Sequence, residues 1–357
     1  MFRLTQLVAL AMAAGSVVAS PARRDTGLVV TVTSNGDSIK SVDDLVLTAK
    51  VENTGAEDVK VLKFATVLDD THPTRSFKVT KGGEDVAFTG VKMQIDLERA
   101  DDSAYTVIPA GASVEVKHNV ASVFDFATAG TGAFDFAPTV NFRAVAAGEG
   151  LRPVDRLVSV GSSSHSVSVD ITGDVAKRHL LPKRAVVQCD DSSRASFIQS
   201  SYDEAKELAT VASDYISGGG GTLYDDYFSS NSQSTVGGNF DSVIGENSSS
   251  RGLYCTDPHD VCTGGVIAYM LIATTEIYFC DIFFDEVAHP QLCSGGTTVE
   301  SRNIRGGTTL HELTHAVSGT DDINYGCPGN QALSASEQVI NADNYNCFAT
   351  EVYAEQC

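Results

Sequence analysis

His311, Glu312 and His315 form an HExxH pattern inside the stretch "GTTLHELTHAVSGTDDINYG", residues 307–326. On an α-helix, residues four apart share a face about one turn apart, so His311 and His315 can direct imidazole nitrogens at a single ion. Glu312 lies about 100° round the helix from His311, close enough to reach a water beside that ion without ligating it. The roles of ligand and general base are thereby separated. Zinc lowers the pKa of a water it holds towards about 7, and a glutamate so placed can take the proton and pass it to a departing amine. Peptide hydrolysis is the reaction this favours.

Two histidines leave the ligand set incomplete. Asp321 and Asp322 follow within the same stretch, Glu337 stands 22 residues past His315, and no histidine follows His315. Gly319 can end a helix with positive φ, and "GTDDINYG" carries enough turn chemistry to fold the chain back on the metal. An aspartate there gives a His, His, Asp set with one coordination position open to water.

These groups need elements to hold them. Leu310, Leu313, Ala316 and Val317 supply a buried face for a helix over about Thr298–Val317, and a second helix is expected over about Asn341–Glu355. Upstream, "SFIQSSYDEAKELATVASDYIS" has apolar residues near helical spacing and ends at four glycines, residues 218–221. Residues 222–296 are Gly/Ser-rich with short apolar runs, which suggests a few strands stapled by cysteines. The segment from 185 onward therefore reads as α+β, mostly helical with a small sheet.

Residues 27–170 differ in kind. Segments such as "GLVVTVTSNGDS", "DLVLTAKVENTG" and "SVEVKHNV" alternate with period two between turn signals, the pattern of an all-β, sandwich-like domain. Its histidines (His72, His118, His165, and His179 just beyond) are scattered and read as surface residues. His259 and His289, farther on, read as surface or structural residues.

The boundary is marked three ways. All eight cysteines (Cys189, Cys255, Cys262, Cys280, Cys293, Cys327, Cys347 and Cys357) lie after residue 188. Residues 185–357 carry five basic residues against 24 acidic ones, a net charge of −19, while residues 1–184 carry 20 against 22. Between them, "VAKRHLLPKRAVVQC" holds two basic pairs, the second being Lys183-Arg184, which reads as a processing site that would leave Ala185 as the new N-terminus. The first residues, with Arg3 ahead of an apolar run and then small residues, have the layout of a secretory signal peptide cut after Ala19. The expected organisation is a signal peptide over 1–19, a β-rich propeptide over 20–184 and a metalloendopeptidase domain over 185–357. An exported chain with an even number of cysteines is expected to form disulfides. Acidity of this size disfavours nucleic acid and anionic membrane as partners and attracts cationic ones.

HELTH followed by "GTDDINYG" resembles the HExxH plus GTxDxxYG pattern of the aspzincins, and in particular the deuterolysin family of secreted fungal zinc endopeptidases; "NADNYNCFA" resembles that family too. The likeness extends over residues 185–357. It implies a zincin-type fold, one zinc ion held by His311, His315 and Asp322, with Asp321 the variable residue, and Tyr325 as a donor to the oxyanion of the tetrahedral intermediate. It further implies disulfides Cys189–Cys255, Cys262–Cys280 and Cys293–Cys357, leaving Cys327 with Cys347. Asp343 is expected in an outer-shell role or lining the S1′ substrate pocket.

The function expected is that of a secreted, monomeric zinc endopeptidase made as a zymogen. Its propeptide would act as intramolecular inhibitor or chaperone, and its preferred substrates would be cationic proteins such as histones or protamines. The competing reading is a cysteine-stapled secreted binding protein with a non-catalytic zinc site. Glu312 and Tyr325 weigh against it, since structural zinc needs neither.

Overall fold

The computed structural model describes residues 27–146, 158–159, 162–175, 189–247 and 251–357. The segment expected to be a signal peptide, and Lys183, Arg184 and Ala185 at the expected processing site, lie outside these residues. Among the described residues no helix is long and apolar enough to cross a membrane.

In the N-terminal unit, alternation becomes pleated sheet. Leu47–Asn53 buries every second residue, and it pairs antiparallel with both Leu28–Ser34 and Ser113–His118. A second sheet places Val167–Asp174, Gly132–Pro138 and Phe77–Lys81 side by side. Side chains such as Val30, Leu47, Val51, Phe77, Phe134, Phe136 and Ile171 share one apolar core. A third sheet contains Arg143–Ala146, Val59–Leu62 and Tyr105–Ile108.

This unit departs from a closed sandwich in two respects. A short helix, Phe126–Ala129, interrupts it. More consequentially, the strand Val91–Ile95 leaves it and becomes the edge of the C-terminal unit's sheet, pairing antiparallel with Val266–Leu271. Two histidines expected at the surface are buried for related reasons. His72 packs against the Asp69 carboxylate, its ring nitrogen 3.1 Å from Oδ1, and reaches across to the Thr263 hydroxyl at 3.0 Å. His118 is buried beside Phe77, with Nε2 3.0 Å from the Val67 carbonyl oxygen. His165 is exposed, and His179 lies outside the described residues.

The C-terminal unit packs helices around a four-stranded sheet of order Leu253–Tyr254, Glu276–Phe279, Val266–Leu271, Val91–Ile95. The long helix is Ser192–Ser217, capped by the Asp191 carboxylate. Residues 222–296, expected to hold a few strands stapled by cysteines, also contain most of helix Gly221–Phe228 and all of helix Gln233–Ile244. Their apolar positions explain this: Leu223, Tyr224, Tyr227 and Phe228, then Val236, Phe240 and Val243, recur at helical spacing and are buried. The ligand helix is Arg305–Ser318 and not Thr298–Val317, because Ile304 is held extended by a bridge to Val287. Close approach fixes that helix in place. A Cβ on Gly306 would come within 2.7 Å of the Glu204 Cβ, and one on Gly307 would collide with Asn346. The C-terminal helix is Ala342–Glu355.

Four disulfides cross-link this unit: Cys189–Cys255, Cys262–Cys280, Cys293–Cys357 and Cys327–Cys347, the pairing that the resemblance implies.

Candidate metal centre

One turn of the ligand helix separates His311 from His315, and both rings are buried. Gly319 ends the helix in the left-handed conformation at φ 70°, which sends the chain back over the helix's last turn. The returning segment is held at both flanks. Asn341 Oδ1 accepts from the Ile323 amide at 2.9 Å and the Asn324 amide at 3.1 Å, and the Asp321 and Asn341 backbones form a bridge. Asp322 is thereby brought against the two histidines.

Three ligand atoms converge. His311 Nε2 lies 3.0 Å from Asp322 Oδ1, His315 Nε2 lies 3.2 Å from the same oxygen, and the two Nε2 atoms are 3.1 Å apart. Donors at about 2.0–2.1 Å from a tetrahedral zinc would be separated by about 3.3 Å, so this near-equilateral triangle has the dimensions of a zinc site. His315 is oriented by Nδ1, which donates to the Thr320 carbonyl at 2.8 Å and leaves the Nε2 lone pair facing the other ligands. These three residues form the candidate metal cluster among the described residues.

The electrostatics ask for a cation. Burial opposes the charged form of His311, yet Asp322 and Asp343 outweigh it and push its pKa up to about 9. Burial lowers that of His315. The Asp322 carboxyl stays well below the usual carboxylate range, because its two histidine partners overcome the desolvation that acts the other way. Glu312, also fully buried, is pushed up to about 8, by desolvation first and by the Asp322 charge as well.

Asp343 stands behind His311, with no solvent-exposed surface. Its Oδ1 lies 3.7 Å from His311 Nδ1 and takes a hydrogen bond from Arg302, while its Oδ2 accepts from the Gly326 amide at 2.8 Å and Asn330 Nδ2 at 2.9 Å. Both of its oxygens are thus committed to buried partners, and it stands behind the ligand without a direct hydrogen bond to the ring. Glu337 is spent elsewhere: it forms a capping box with Ser334 at the start of a short helix, Ala335–Gln338. His289 is a buried structural residue near Glu204 and Tyr353, and His259 packs edge-on to Tyr278.

The strand Val91–Ile95 crosses directly over this centre. The Met93 amide donates to Asp322 Oδ2 at 2.7 Å, and the Gln94 amide donates to Glu312 Oε1 at 3.1 Å. The Tyr325 hydroxyl, buried beside the His311 ring, donates to the Met93 carbonyl at 2.7 Å. Lys92 pairs with Asp321 at 2.8 Å and donates to the Thr320 carbonyl. Arg302 donates to the Ile95 carbonyl at 3.0 Å, and Arg143 to the Tyr325 carbonyl at 2.7 Å.

His311, Glu312 and His315 are thus brought together as their spacing suggests, with Asp322 and Tyr325 beside them as the resemblance implies. Sequence reasoning missed Arg302, Asn330, Asn341 and Thr320, which orient them. The signal for Asn341 is its place at the head of "NADNYN", residues 341–346, whose three asparagines are all buried; Asn330 lies outside that run and carries no such mark. The contacts of Lys92 to Ile95 were missed as well, since the alternation of Val91–Ile95 marks a strand but nothing local records partners that lie far along the chain.

With this geometry established, comparison with known proteins is decisive. Residues 2–356 match the deuterolysin metalloprotease (M35) family. A neutral protease 2 homolog of Aspergillus fumigatus is 33% identical over 87% of this chain and 85% of its own length, and one of Neosartorya fischeri is 31% identical over 87% and 86%. A third, from Aspergillus oryzae, is 31% identical over 97% of this chain and 96% of its own. The chain belongs to the deuterolysin metalloprotease family.

Proposed function

We propose that the protein is a secreted zinc endopeptidase made as a zymogen, in which residues 185–357 are the enzyme and the N-terminal unit is a removable inhibitor. The observation that carries the enzymatic part is the ligand triangle of His311, His315 and Asp322 with Glu312 beside it. Zinc, when bound by these three residues, supplies Lewis acidity that activates water and polarises the scissile carbonyl. Glu312 takes a proton from the attacking water and returns it to the departing amine. Tyr325 donates its hydroxyl hydrogen to the oxygen on which negative charge develops. Thr320 holds the His315 imidazole in orientation, the Asp343 carboxylate supplies negative charge 3.7 Å behind that of His311, and Asn341 holds the turn that carries Asp322 and Tyr325.

The inhibitory part rests on Val91–Ile95, whose backbone engages the Asp322, Glu312 and Tyr325 side chains. Cleavage after Lys183-Arg184 would start the active chain at Ala185 and free this strand to leave with its unit. The four disulfides accord with an extracellular protein. With 24 acidic residues against five basic ones in 185–357, the enzyme is read as a monomer that favours cationic proteins of the histone or protamine kind.

The test is the zinc content and casein hydrolysis of the secreted form, with its N-terminus sequenced. One zinc per chain, chelator-sensitive hydrolysis and a start at Ala185 are expected. Full activity from a chain starting near residue 20 would make the N-terminal unit a permanent partner.

A further inference from the structure

Every amide in a strand can donate and every carbonyl can accept, so an inhibitory strand needs no particular register over a catalytic centre. Here the register is specific. The two ends of one peptide bond, Met93–Gln94, meet the two groups that hydrolysis requires at those ends. The Met93 carbonyl oxygen, where charge would develop, takes a hydrogen bond from Tyr325, and the Gln94 nitrogen, which would need a proton to leave, sits 3.1 Å from Glu312 Oε1. In the reverse chain direction the carbonyl would face the carboxylate and the amide would face the hydroxyl. The strand is further locked to the edge of the sheet by pairing of Gln94 with Ala268, Met93 with Tyr269 and Lys92 with Met270.

Given this register, the side chain one residue ahead of Met93 reports on a neighbouring subsite. Lys92 carries its aliphatic stem into a buried position and its ammonium group to Asp321 Oδ1 at 2.8 Å, with the Thr320 carbonyl as a second acceptor. Asp321 is the neighbour of a metal ligand, and its own carboxylate pairs with Lys92 and Arg75. It is the anion nearest that position on a turn already fixed for Asp322.

We propose that Lys92-Met93-Gln94 is bound in the register of a substrate, with the Met93–Gln94 peptide in the reacting position, and that Asp321 selects a lysine or arginine immediately ahead of the residue whose carbonyl is attacked. The inference rests on the zymogen reading above and assigns the local source of a cationic preference to Asp321. Cutting this bond adds water: the C–N bond breaks, Met93 takes the oxygen and becomes a carboxylate, and Gln94 departs as an amine. In the intact chain both new ends would stay anchored, by Lys92 on one side and by Arg302 at Ile95 on the other, so the bond persists and the strand inhibits. Once the N-terminal unit separates, the same segment is a substrate.

The test uses a synthetic peptide spanning residues 88–99 and the zinc-loaded secreted enzyme, with casein hydrolysis run in parallel. Mass spectrometry should find a single early cut between Met93 and Gln94. An enzyme that digests casein but leaves this peptide whole, or cuts it elsewhere, overturns the register; failure on casein as well would instead strike at the zymogen reading. Binding is read separately with the Glu312→Gln enzyme by fluorescence anisotropy. A peptide with Lys92→Glu should bind at least about tenfold more weakly than the parent, because it places a like charge against Asp321 in a pair whose lysine side is buried. In Asp321→Lys, with zinc content as the check on folding, the order of the two peptides should reverse. Retention of the parent preference in that variant would remove Asp321 from the assignment.

Discussion

The N-terminal and C-terminal units are shaped by different means. The first has no cysteine, carries nearly balanced charge and coheres through alternating apolar side chains that meet in one core. The second is strongly acidic, crossed by four disulfides, and buries a polar network of Asp343, Asn330, Asn341 and Asn344 among its helices. Apolar packing suffices to make a unit compact and to present a strand. Keeping three ligand atoms about 3 Å apart calls for covalent and hydrogen-bonded bracing, because each buried polar group must be satisfied and each ligand oriented. Where the units meet, cations of the first face anions of the second: Lys92 and Arg75 at Asp321, and Arg99 at Asp285.

Removing a ligand should break this contrast most sharply. His311→Ala or Asp322→Ala is expected to abolish stoichiometric zinc, measured by elemental analysis, and hydrolysis with it, while leaving the N-terminal unit folded. Normal zinc content in both variants would reject the ligand set. The converse perturbation is Phe134→Ala, which hollows the N-terminal core where Phe134 packs edge-on to Phe126 at 5.2 Å. It should cost about 3–5 kcal/mol of that unit's stability and raise the activity of the uncleaved chain, with no effect on the processed enzyme. Equal loss of processed activity would mean that the enzyme depends on the N-terminal core. A subtler change sharpens the role of the polar network: Asp343→Asn keeps its volume but withdraws the charge behind His311, and zinc affinity should fall about 10- to 100-fold without loss of fold. An unchanged zinc dissociation constant would reduce Asp343 to a partner of Arg302.

Legibility in the sequence follows the same division. His311, Glu312 and His315 could be read because a helix fixes their relation by spacing alone, and Gly319 announced the turn that returns Asp322. Strands such as Leu47–Asn53 could be read because one face is buried and the other is not. Val91–Ile95 alternates in the same way, but its place could not be read, since all five residues are buried whereas Lys92 and Gln94 mimic a solvated face. Their partners, Asp321 and Glu312, lie more than 200 positions away, and no local pattern records so distant a pairing. The helices Gly221–Phe228 and Gln233–Ile244 were obscured by glycine and serine, whose weak helix propensity is overridden by the buried aromatic face. Asp343 was legible as an outer-shell or S1′ candidate, but the sequence could not choose between the two, because only packing reveals that both its oxygens are already engaged.

The central claim is that Glu312 moves the proton while His311, His315 and Asp322 hold the metal. Glu312→Gln separates the two, since it removes the base and no ligand. Zinc content and casein hydrolysis measured on the same preparation of this variant should give one zinc per chain and a rate at least about 100-fold below that of the parent. Substantial hydrolysis at full zinc occupancy, or loss of the zinc itself, would contradict the account.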